Sequence, residues 1–222
     1  MESSMTDELL TLPPLCAAHG SAFRTIVADP PWNVKAGPPG DSGQWTRKGR
    51  EGGTKSRALV YPTMSVEEIA ALPVGKMADE DAHCYIWTIN KYVEDTYDIA
   101  RAWGFEPSTL LYWLKSPMGI GLGGTFCLCV EPILFCRRGS LAAKRRYDRN
   151  WWPWPRGEHS AKPEAFQTVV ESVSPGPYLE LFARRKRHGW ASWGNEIAND
   201  VEMPNVKNQA REPSVPNTTQ TP

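Results

Sequence analysis

The sequence predicts an α/β protein with a mostly parallel sheet, because short apolar strand patterns alternate with helical patterns along most of its length. Strand patterns cover residues 23–28, 83–87, 109–114, 131–136, 178–183 and a short final stretch at 190–193. Helical patterns cover residues 65–72, 91–103 and 163–173. This alternation is typical of open sheets whose ligands bind beyond the carboxyl ends of the strands.

The first strand pattern has a well-defined end. Residues 23–28 form a short apolar run rich in β-branched residues, and Asp29 and two prolines follow directly. Proline has no N–H group to continue a sheet ladder, so the strand must end there. Asp29 is therefore expected at the carboxyl end of the strand.

The helical patterns have matching boundary residues. Ser65 and Glu68 form a capping-box pattern at the start of the first helix. Gly104 fits the position that follows the end of the second helix, and Pro163 fits the first turn of the third.

The length of 222 residues suggests one domain with tails. We expect a lead-in at residues 1–20, a single domain at residues 21–198, and a disordered tail at residues 199–222, which is rich in Pro, Asn, Thr and Gln. Residues 33–58 contain many Gly, Lys, Arg and Ser residues and almost no aliphatic ones, which predicts a long, basic, mobile loop.

Composition excludes several classes of protein. Lys and Arg number 25 against 25 Asp and Glu, so bulk positive charge does not hold a nucleic acid, and any basic surface is local. Five cysteines without a CxxC pair favour free thiols over disulfides or a zinc site, and no metal is expected. Residues 1–12 do not resemble a signal peptide and no apolar run approaches the ~20 residues of a membrane span, so a cytoplasmic protein without membrane contact is expected.

Asp29-Pro30-Pro31-Trp32 is the strongest candidate for chemistry. Asp29 supplies acceptor oxygens, the Pro30 carbonyl is interpreted as a free acceptor because Pro31 has no N–H, and Trp32 is interpreted as a flat stacking platform. Two acceptors beside an aromatic face suit the exocyclic amine of a nucleobase, where they would stabilise the positive charge that develops on methylation. The same four residues are also compatible with a turn that merely ends a strand.

Ala28-Asp29-Pro30-Pro31-Trp32 closely resembles the DPPW signature of the adenine-N6 methyltransferases related to the catalytic subunit of the eukaryotic mRNA adenosine methyltransferase. That family has bacterial and phage members, and the resemblance extends over about residues 23–197 in order. Further matching segments are Tyr61-Pro62-Thr63-Met64-Ser65, Trp113-Leu114-Lys115, Glu131 with Phe135-Cys136-Arg137-Arg138-Gly139, His159-Ser160-Ala161-Lys162-Pro163, Leu179-Glu180-Leu181-Phe182-Ala183-Arg184 and residues 189–196.

The resemblance implies a Rossmann-like fold that uses S-adenosylmethionine, with a circularly permuted motif order and residues 21–198 as the methyltransferase domain. It implies catalytic roles for Asp29, Pro30, Pro31 and Trp32. The residues implied to bind the cofactor are Asp29, Lys162, Glu180, Arg184, Asn195 and Glu196, and those implied on the substrate side are Tyr61, Lys115 and Glu131. A structural Glu180–Arg184 pair is an alternative reading of two of these residues. Many relatives have Gln where this chain has Glu196.

Nucleic acid is the expected partner, and DNA is favoured over RNA because the compact chain resembles small bacterial and phage members of the family and leaves no room for a separate RNA-binding module. RNA methylation, cytosine-N4 methylation and a non-catalytic nucleic-acid-binding homologue are the alternatives, and a homo-dimer is compatible with the sequence. The intact Asp29 to Trp32 motif disfavours the non-catalytic homologue.

Local basic clusters and unusual tryptophans support a nucleic-acid partner. Phosphate contact is one reading of the basic clusters and a solvated basic face is the other. The clusters are Arg137, Arg138, Lys144, Arg145, Arg146 and Arg149; Arg184, Arg185, Lys186 and Arg187; and Lys35, Arg47, Lys48, Arg50, Lys55 and Arg57. Four of the ten tryptophans, Trp45, Trp151, Trp152 and Trp154, are either stacking residues for unpaired bases or structural residues.

Overall fold

A computed structural model describes residues 22–33, 62–116, 126, 128–157 and 161–203. The lead-in expected at residues 1–20, the basic loop expected at residues 33–58 apart from Asn33, and Tyr61 lie outside these ranges. Among the described residues, no helix is long and apolar enough to cross a bilayer.

Seven strands and four short helices make up the described part of the chain. The strands are β1 (Phe23–Ala28), β2 (Ala78–Trp87), β3 (Glu106–Ser116), β4 (Val130–Arg138), β5 (Trp151–Pro155), β6 (Tyr178–Leu181) and β7 (Trp190–Trp193). The helices are α1 (Val66–Ala70), α2 (Val74–Met77), α3 (Val93–Ala102) and α4 (Ala165–Val173). A single 3₁₀ turn, Asn90–Tyr92, precedes α3.

The strands form one sheet in the order β5-β3-β4-β2-β1-β6-β7. The pairs β1–β2, β1–β6, β6–β7 and β3–β5 are parallel, whereas β4 is antiparallel to both β2 and β3. The prediction of a mostly parallel α/β sheet is therefore confirmed. Because β4 alone runs in the opposite direction, its first residues lie at the sheet edge where the other described strands end.

β5 was not predicted from the sequence. Trp151–Pro155 contains Pro153 and Pro155, which argue against a strand in the interior of a sheet. The strand can form because it lies at the edge of the sheet and pairs only with β3. On its outer side there is no neighbouring strand, so a proline without an N–H group costs no hydrogen bond there. α2 and the charged first half of β2 were also absent from the predicted elements.

Side chains alternate between the two faces of the sheet and fill two apolar clusters. Ile26 of β1 belongs to the larger cluster, which includes Ile69 of α1 and Ile99 of α3. Val27, the next residue, belongs to the smaller cluster, which includes Phe166 and Val170 of α4. α1 and α3 therefore cover one face, and α4 covers part of the other. Trp87 and Trp113 are buried in the smaller cluster and Trp103 in the larger one.

The predicted helix boundaries have the expected hydrogen bonds. The Glu68 N–H donates to Ser65 Oγ at 3.2 Å, and the Ser65 N–H donates to Glu68 Oε2 at 2.7 Å, which completes the capping box. Gly104, after α3, has a φ of 81°, a conformation that favours glycine.

A buried polar network attaches the end of α4 to β2. Tyr85 Oη lies 2.7 Å from Ser174 Oγ, which lies 2.7 Å from His83 Nδ1. His83 Nε2 lies 3.1 Å from the Leu141 carbonyl, which can only accept, so Nε2 carries the proton and Nδ1 accepts from Ser174. Burial lowers the pKa of His83 to about 4, although the Leu141 carbonyl opposes this shift. The imidazole is therefore neutral at neutral pH.

The beginning of the predicted tail is ordered, which corrects its boundary. Met203 is buried and Val201 packs against the larger apolar cluster. The Asp200 carboxylate accepts the Ser192 N–H at 2.9 Å and pairs with Lys186. Two apolar residues in a polar stretch are enough to hold residues 200–203 on the core, a pattern too short to register as an element in the sequence.

Candidate active site

Four charged residues meet at the sheet edge where the parallel strands end. Asp29 follows β1, Lys115 is the penultimate residue of β3, and Glu131 is the second residue of β4. Lys162 precedes α4 and reaches the same edge. The reversed direction of β4 places Glu131 here, because a parallel strand would carry its second residue to the opposite edge.

The four side chains form a chain of alternating charge. Lys162 Nζ lies 2.8 Å from Asp29 Oδ1, 2.9 Å from Asp29 Oδ2 and 3.6 Å from Glu131 Oε2. Lys115 Nζ pairs with the other oxygen of Glu131. The four side chains are between 19% and 25% exposed, so the cluster is shielded from water but remains open to a ligand. Two carboxylates and two ammonium groups leave it with no net charge.

Lys162 is held in its charged form. Burial by itself would lower its pKa, but the negative charges of Asp29 and Glu131 outweigh burial and raise the pKa above its usual value. Its Nζ also lies 5.2 Å from the centre of the Trp87 ring, within the range of a cation–π contact. Lys162 is therefore a fixed positive charge between two acids.

The turn after β1 differs from its sequence-based interpretation. The Pro30 carbonyl is not a free acceptor, because it accepts the Trp32 N–H at 2.9 Å. The Pro31 carbonyl accepts the Met64 N–H at 3.0 Å, which joins the turn to the residue before the α1 cap. A carbonyl oxygen has two lone pairs, so Pro30 retains one acceptor site. The two hydrogen bonds that these carbonyl groups accept also make the turn rigid.

Trp32 is not an open platform. Its side chain is buried with 6% exposure, and its Nε1–H donates to the Trp87 carbonyl at 3.1 Å. Tyr92 stacks on its ring, with centroids 5.0 Å apart and planes 17° apart. The interpretation of Trp32 as a flat stacking platform is therefore corrected. A large indole is most stable when it is buried with a partner for its N–H, and here Tyr92 covers the ring and the Trp87 carbonyl accepts the N–H.

Tyr92 is a site residue that the sequence did not indicate. Its hydroxyl donates to the Asn33 carbonyl at 2.5 Å while its ring covers Trp32. It thus holds the chain on both sides of the Trp32–Asn33 bond. In the sequence Tyr92 is one of several aromatic residues in a helical stripe, and no local pattern separates it from the others.

Glu180 lies beside a pocket of about 360 Å³ between α4 and residues 185–188. Burial raises the pKa of its carboxyl group. The carboxylate accepts from Gln167 Nε2 at 3.1 Å, while Gln167 Oε1 is buried with no hydrogen-bond partner among the described residues. Gln167 and Glu180 both line this pocket. Gln167 was not predicted as a site residue. The only indication in the sequence is that it is a polar residue next to Phe166 in an otherwise apolar part of α4.

Arg184, Asn195 and Glu196 follow the ends of β6 and β7 at the same sheet edge. Arg184 Nε lies 3.9 Å from Glu196 Oε1, and Asn195 is exposed. The alternative Glu180–Arg184 pair is not the principal contact of Glu180, which bonds Gln167 instead.

Two backbone features bring these strand ends together. A Cβ on Gly194 would lie 2.0 Å from the Ala183 carbonyl oxygen, so only glycine allows this approach. Phe182 has a φ of 63°, which is uncommon for a residue other than glycine, and its ring packs edge-on against Trp193. Backbone strain of this kind often accompanies functional sites.

The residues implied for S-adenosylmethionine fit such a ligand chemically. The Glu180 carboxyl lines the pocket and is an acceptor suited to ribose hydroxyl or ammonium donors. Arg184 and Lys162 are cations suited to a carboxylate. Tyr61, implied on the substrate side, lies outside the described residues, so only Lys115 and Glu131 of that group have a described position.

The cluster of Asp29, Glu131, Lys115 and Lys162 lies at the edge of the sheet where open α/β enzymes bind their ligands. Residues 23–121 match the family model MT-A70. The chain is 30% identical over 194 residues to the type II methyltransferase M.MunI of a Mycoplasma species, which covers 82% of this chain and 81% of that protein. The chain therefore belongs to the MT-A70 family and is a methyltransferase, for which the family implies S-adenosylmethionine as methyl donor.

Longer relatives match over part of their length. The chain is 26% identical over 202 residues to the N(6)-adenine-specific methyltransferase METTL4 of Homo sapiens, covering 81% of this chain and 38% of that protein. It is 30% identical over 201 residues to the N6-methyladenosine RNA methyltransferase MTA1 of Cryphonectria parasitica, covering 82% of this chain and 53% of that protein. The chain thus spans about half or less of these two proteins.

Proposed function

We propose that this chain methylates the N6 amine of adenine in DNA. The observation that carries the proposal is the Asp29 carboxylate at the end of β1, held between 2.8 and 2.9 Å from the fixed charge of Lys162. The similarity to the type II methyltransferase M.MunI, which the chain covers over 81% of its length, supports the proposal. The relative with RNA in its name is matched over only 53% of its length.

The chemistry begins with a poor nucleophile. The lone pair of an exocyclic amine is delocalised into the adenine ring, so the amine reacts only if its N–H groups are bonded in a way that localises the lone pair. Asp29 is the principal acceptor, and the remaining lone pair of the Pro30 carbonyl is the second. Because Trp32 and the turn hydrogen bonds fix both acceptors, little reorganisation accompanies the reaction.

Charge balance then favours the transition state. S-adenosylmethionine, when bound, supplies an electrophilic methyl group. When its methyl group passes to N6, the bond from that group to the donor sulfur would break and S-adenosylhomocysteine would leave. The positive charge that develops on the amine would be stabilised by the adjacent Asp29 carboxylate until N6 releases a proton to solvent. Adenine is neutral, and the cluster of two carboxylates and two ammonium groups has no net charge. Binding of the base therefore does not require an ion to leave the cluster. Lys115 pairs with Glu131 and holds its side chain in position on the substrate side of the cluster.

The same edge divides into a donor side and a base side. The methyl donor would be held by the residues on one side, which are Lys162, Glu180, Gln167, Arg184, Asn195 and Glu196. Asp29 would lie between the methyl donor and the target base. Glu131 and Lys115, which pair through Glu131 Oε1, would contact the base or its sugar. In duplex DNA the adenine must leave the base stack to reach the edge, which adds an unpairing cost of a few kcal/mol.

RNA is the second candidate substrate, because the MTA1 relative is as similar in identity as M.MunI. The test is to incubate the protein with isotopically labelled S-adenosylmethionine and matched double-stranded DNA, single-stranded DNA or RNA. Each product is digested to nucleosides and identified by mass spectrometry. We expect label in N6-methyldeoxyadenosine, and none with the Asp29→Asn variant. Label only in RNA adenosine would replace the DNA assignment, and label in N4-methylcytosine would refute the adenine assignment.

A further inference from the structure

A cavity of about 670 Å³ lies on the face of the sheet that α4 only partly covers. Its floor includes Thr109 and Leu111 of β3 and Phe135 of β4, and its wall includes Val169 and Val173 of α4. None of the candidate active-site residues lines it. We call it the β3–α4 groove. Residues 143–150 form its rim.

A line of aromatic rings leads from the β3–α4 groove toward the active site. Tyr147 and Trp152 line the groove and meet edge to face with centroids 5.6 Å apart. Trp152 then stacks on Trp154, with centroids 5.4 Å apart and planes 6° apart. Trp154 pairs in register with Lys115, the active-site lysine of β3. All three rings are half-buried, so part of each remains accessible.

The rim of the groove is strongly positive. Lys144, Arg145, Arg146 and Arg149 are exposed, and Asp148 is the one acid among residues 144–149. The whole chain has no net charge, so this segment concentrates positive charge that the rest of the molecule offsets. The Arg145 guanidinium lies 4.8 Å from the centre of the Tyr147 ring, which joins the cations to the aromatic line.

We propose that the β3–α4 groove binds an unpaired stretch of the nucleic-acid substrate next to the base that is methylated. Flat rings stack on unpaired bases and cations contact the phosphates, the combination that binds single strands without sequence preference. The inference rests on the proposed function, because extruding a target base leaves adjacent nucleotides unpaired. The aromatic line connects that strand to Lys115 at the active site.

The first test removes the charge from the rim. Binding of a short fluorescein-labelled oligothymidine is measured by anisotropy at several salt concentrations, with the double variant Arg145→Ala/Arg146→Ala. We expect affinity to fall at least about tenfold and the slope of log K against log salt to fall by about 1.4, since each phosphate contact on a single strand contributes roughly 0.7.

The matched control removes two cations from the other face. Lys76→Ala/Arg101→Ala changes net charge equally, in α2 and α3, where both residues are exposed. We expect this variant to bind oligothymidine as the wild type does. Equal losses in both variants would show bulk electrostatics only, and equal binding by both and by the wild type would overturn the groove assignment.

A second test locates the strand. Oligonucleotides with 5-iodouracil are photocrosslinked to the protein, and the attached residue is identified by mass spectrometry. We expect attachment at Tyr147 or Trp152, and attachment confined to other segments would overturn the proposal. If Arg145→Ala/Arg146→Ala instead changes sedimentation velocity without changing oligothymidine binding, the groove is a self-association surface.

These readouts separate the groove from the methyl-transfer proposal. Oligothymidine has no adenine, so its binding does not depend on turnover. Methylation of an adenine-containing strand by Arg145→Ala/Arg146→Ala should show a KM raised at least about tenfold with kcat within about twofold. Normal methylation with binding unaffected by the double variant would refute the groove alone. Groove-dependent binding without methylation of any base would refute the proposed function alone.

Discussion

Asp29 and Lys162 show how single residues build the candidate active site. Asp29 stands where a parallel strand ends, and the two prolines after it prevent the strand from continuing past the edge. The Lys162 ammonium group contacts both carboxylate oxygens of Asp29 and lies 3.6 Å from Glu131 Oε2. Each charge in the cluster is therefore stabilised by an opposite one, and removal of any one member leaves a partly buried charge without compensation.

Asp29→Asn should abolish most of the methyl transfer. The change keeps the size of the side chain but removes the charge that stabilises the developing cation, so we expect the single-turnover rate to fall at least about 100-fold. Cofactor affinity, measured by calorimetry, should change much less. Asp98→Asn is the matched control, since Asp98 is exposed and forms a surface ion pair with Arg101. Full activity of Asp29→Asn would rule out the catalytic assignment.

Lys162→Met should weaken binding of S-adenosylmethionine by about tenfold or more, because a cation suited to the cofactor carboxylate is lost and Asp29 loses its partner. Isothermal titration calorimetry measures the change directly. Lys76→Met, a change of the same kind at an exposed position in α2, should leave affinity unaltered. Unchanged affinity in Lys162→Met would remove this residue from the donor side of the site.

The sequence identified these charged residues but not the residues that hold them. Asp29 and Lys162 lie in motifs whose local order carries their chemistry, so the pattern alone points to them. Tyr92 and Gln167 act through partners 59 and 13 residues away, and no local pattern encodes those contacts. Trp32 was misinterpreted for the same reason, because its burial depends on Tyr92 and Trp87, which the chain supplies much later.

At the scale of elements, the ends of α4 do different work. Its first turn follows Lys162, at the sheet edge that carries the candidate active site. Ser174, which follows its last turn, forms a hydrogen bond with His83 of β2 in the core. The helix is thus fixed at the end remote from the chemistry. The sequence predicted both α4 and β2, but the link between them depends on a buried histidine whose partner is 91 residues away.

Stability should fall as pH decreases from about 6.5 toward 4, in part because of His83. The folded-state pKa is about 4 and the usual value is 6.5, so in this range the unfolded chain binds a proton that the folded chain excludes. The full difference corresponds to about 3 kcal/mol of unfolding free energy, present above pH 6.5 and lost progressively below it.

Urea unfolding at a series of pH values measures this dependence. His83→Gln should give a smaller decrease in unfolding free energy between pH 6.5 and 4.5 than the wild type. His188→Gln, at an exposed position, should leave the dependence unchanged. An identical pH dependence in His83→Gln and the wild type would contradict the assignment of a neutral, buried His83.

At the scale of the whole molecule, two features that were not predicted from the sequence lie at the two outer sides of the sheet. β5 adds an edge strand despite its prolines, and residues 200–203 fold back on the larger apolar cluster. The central order of strands and helices was predictable because each element has a strong apolar period. The two sides were not, because edge positions tolerate prolines and short polar segments that resemble loops.

Met203→Ala should lower the unfolding free energy by about 2 kcal/mol, because it removes a buried side chain from the larger apolar cluster. Thermal or urea unfolding measures the loss. Glu202→Ala, at the exposed neighbouring position, should have no measurable effect. Equal stabilities of the two variants would mean that residues 200–203 do not pack on the core in solution.

The reversed direction of β4 has an evolutionary consequence. β3 ends at Ser116 and β4 begins at Val130, so both ends of the connection between them lie at the edge of the sheet that carries Lys115 and Glu131. Because a strand of fixed register anchors each end, the length or composition of this connection can change without a change in the sheet. We therefore expect evolution to vary the connection more readily than the two strands that it joins.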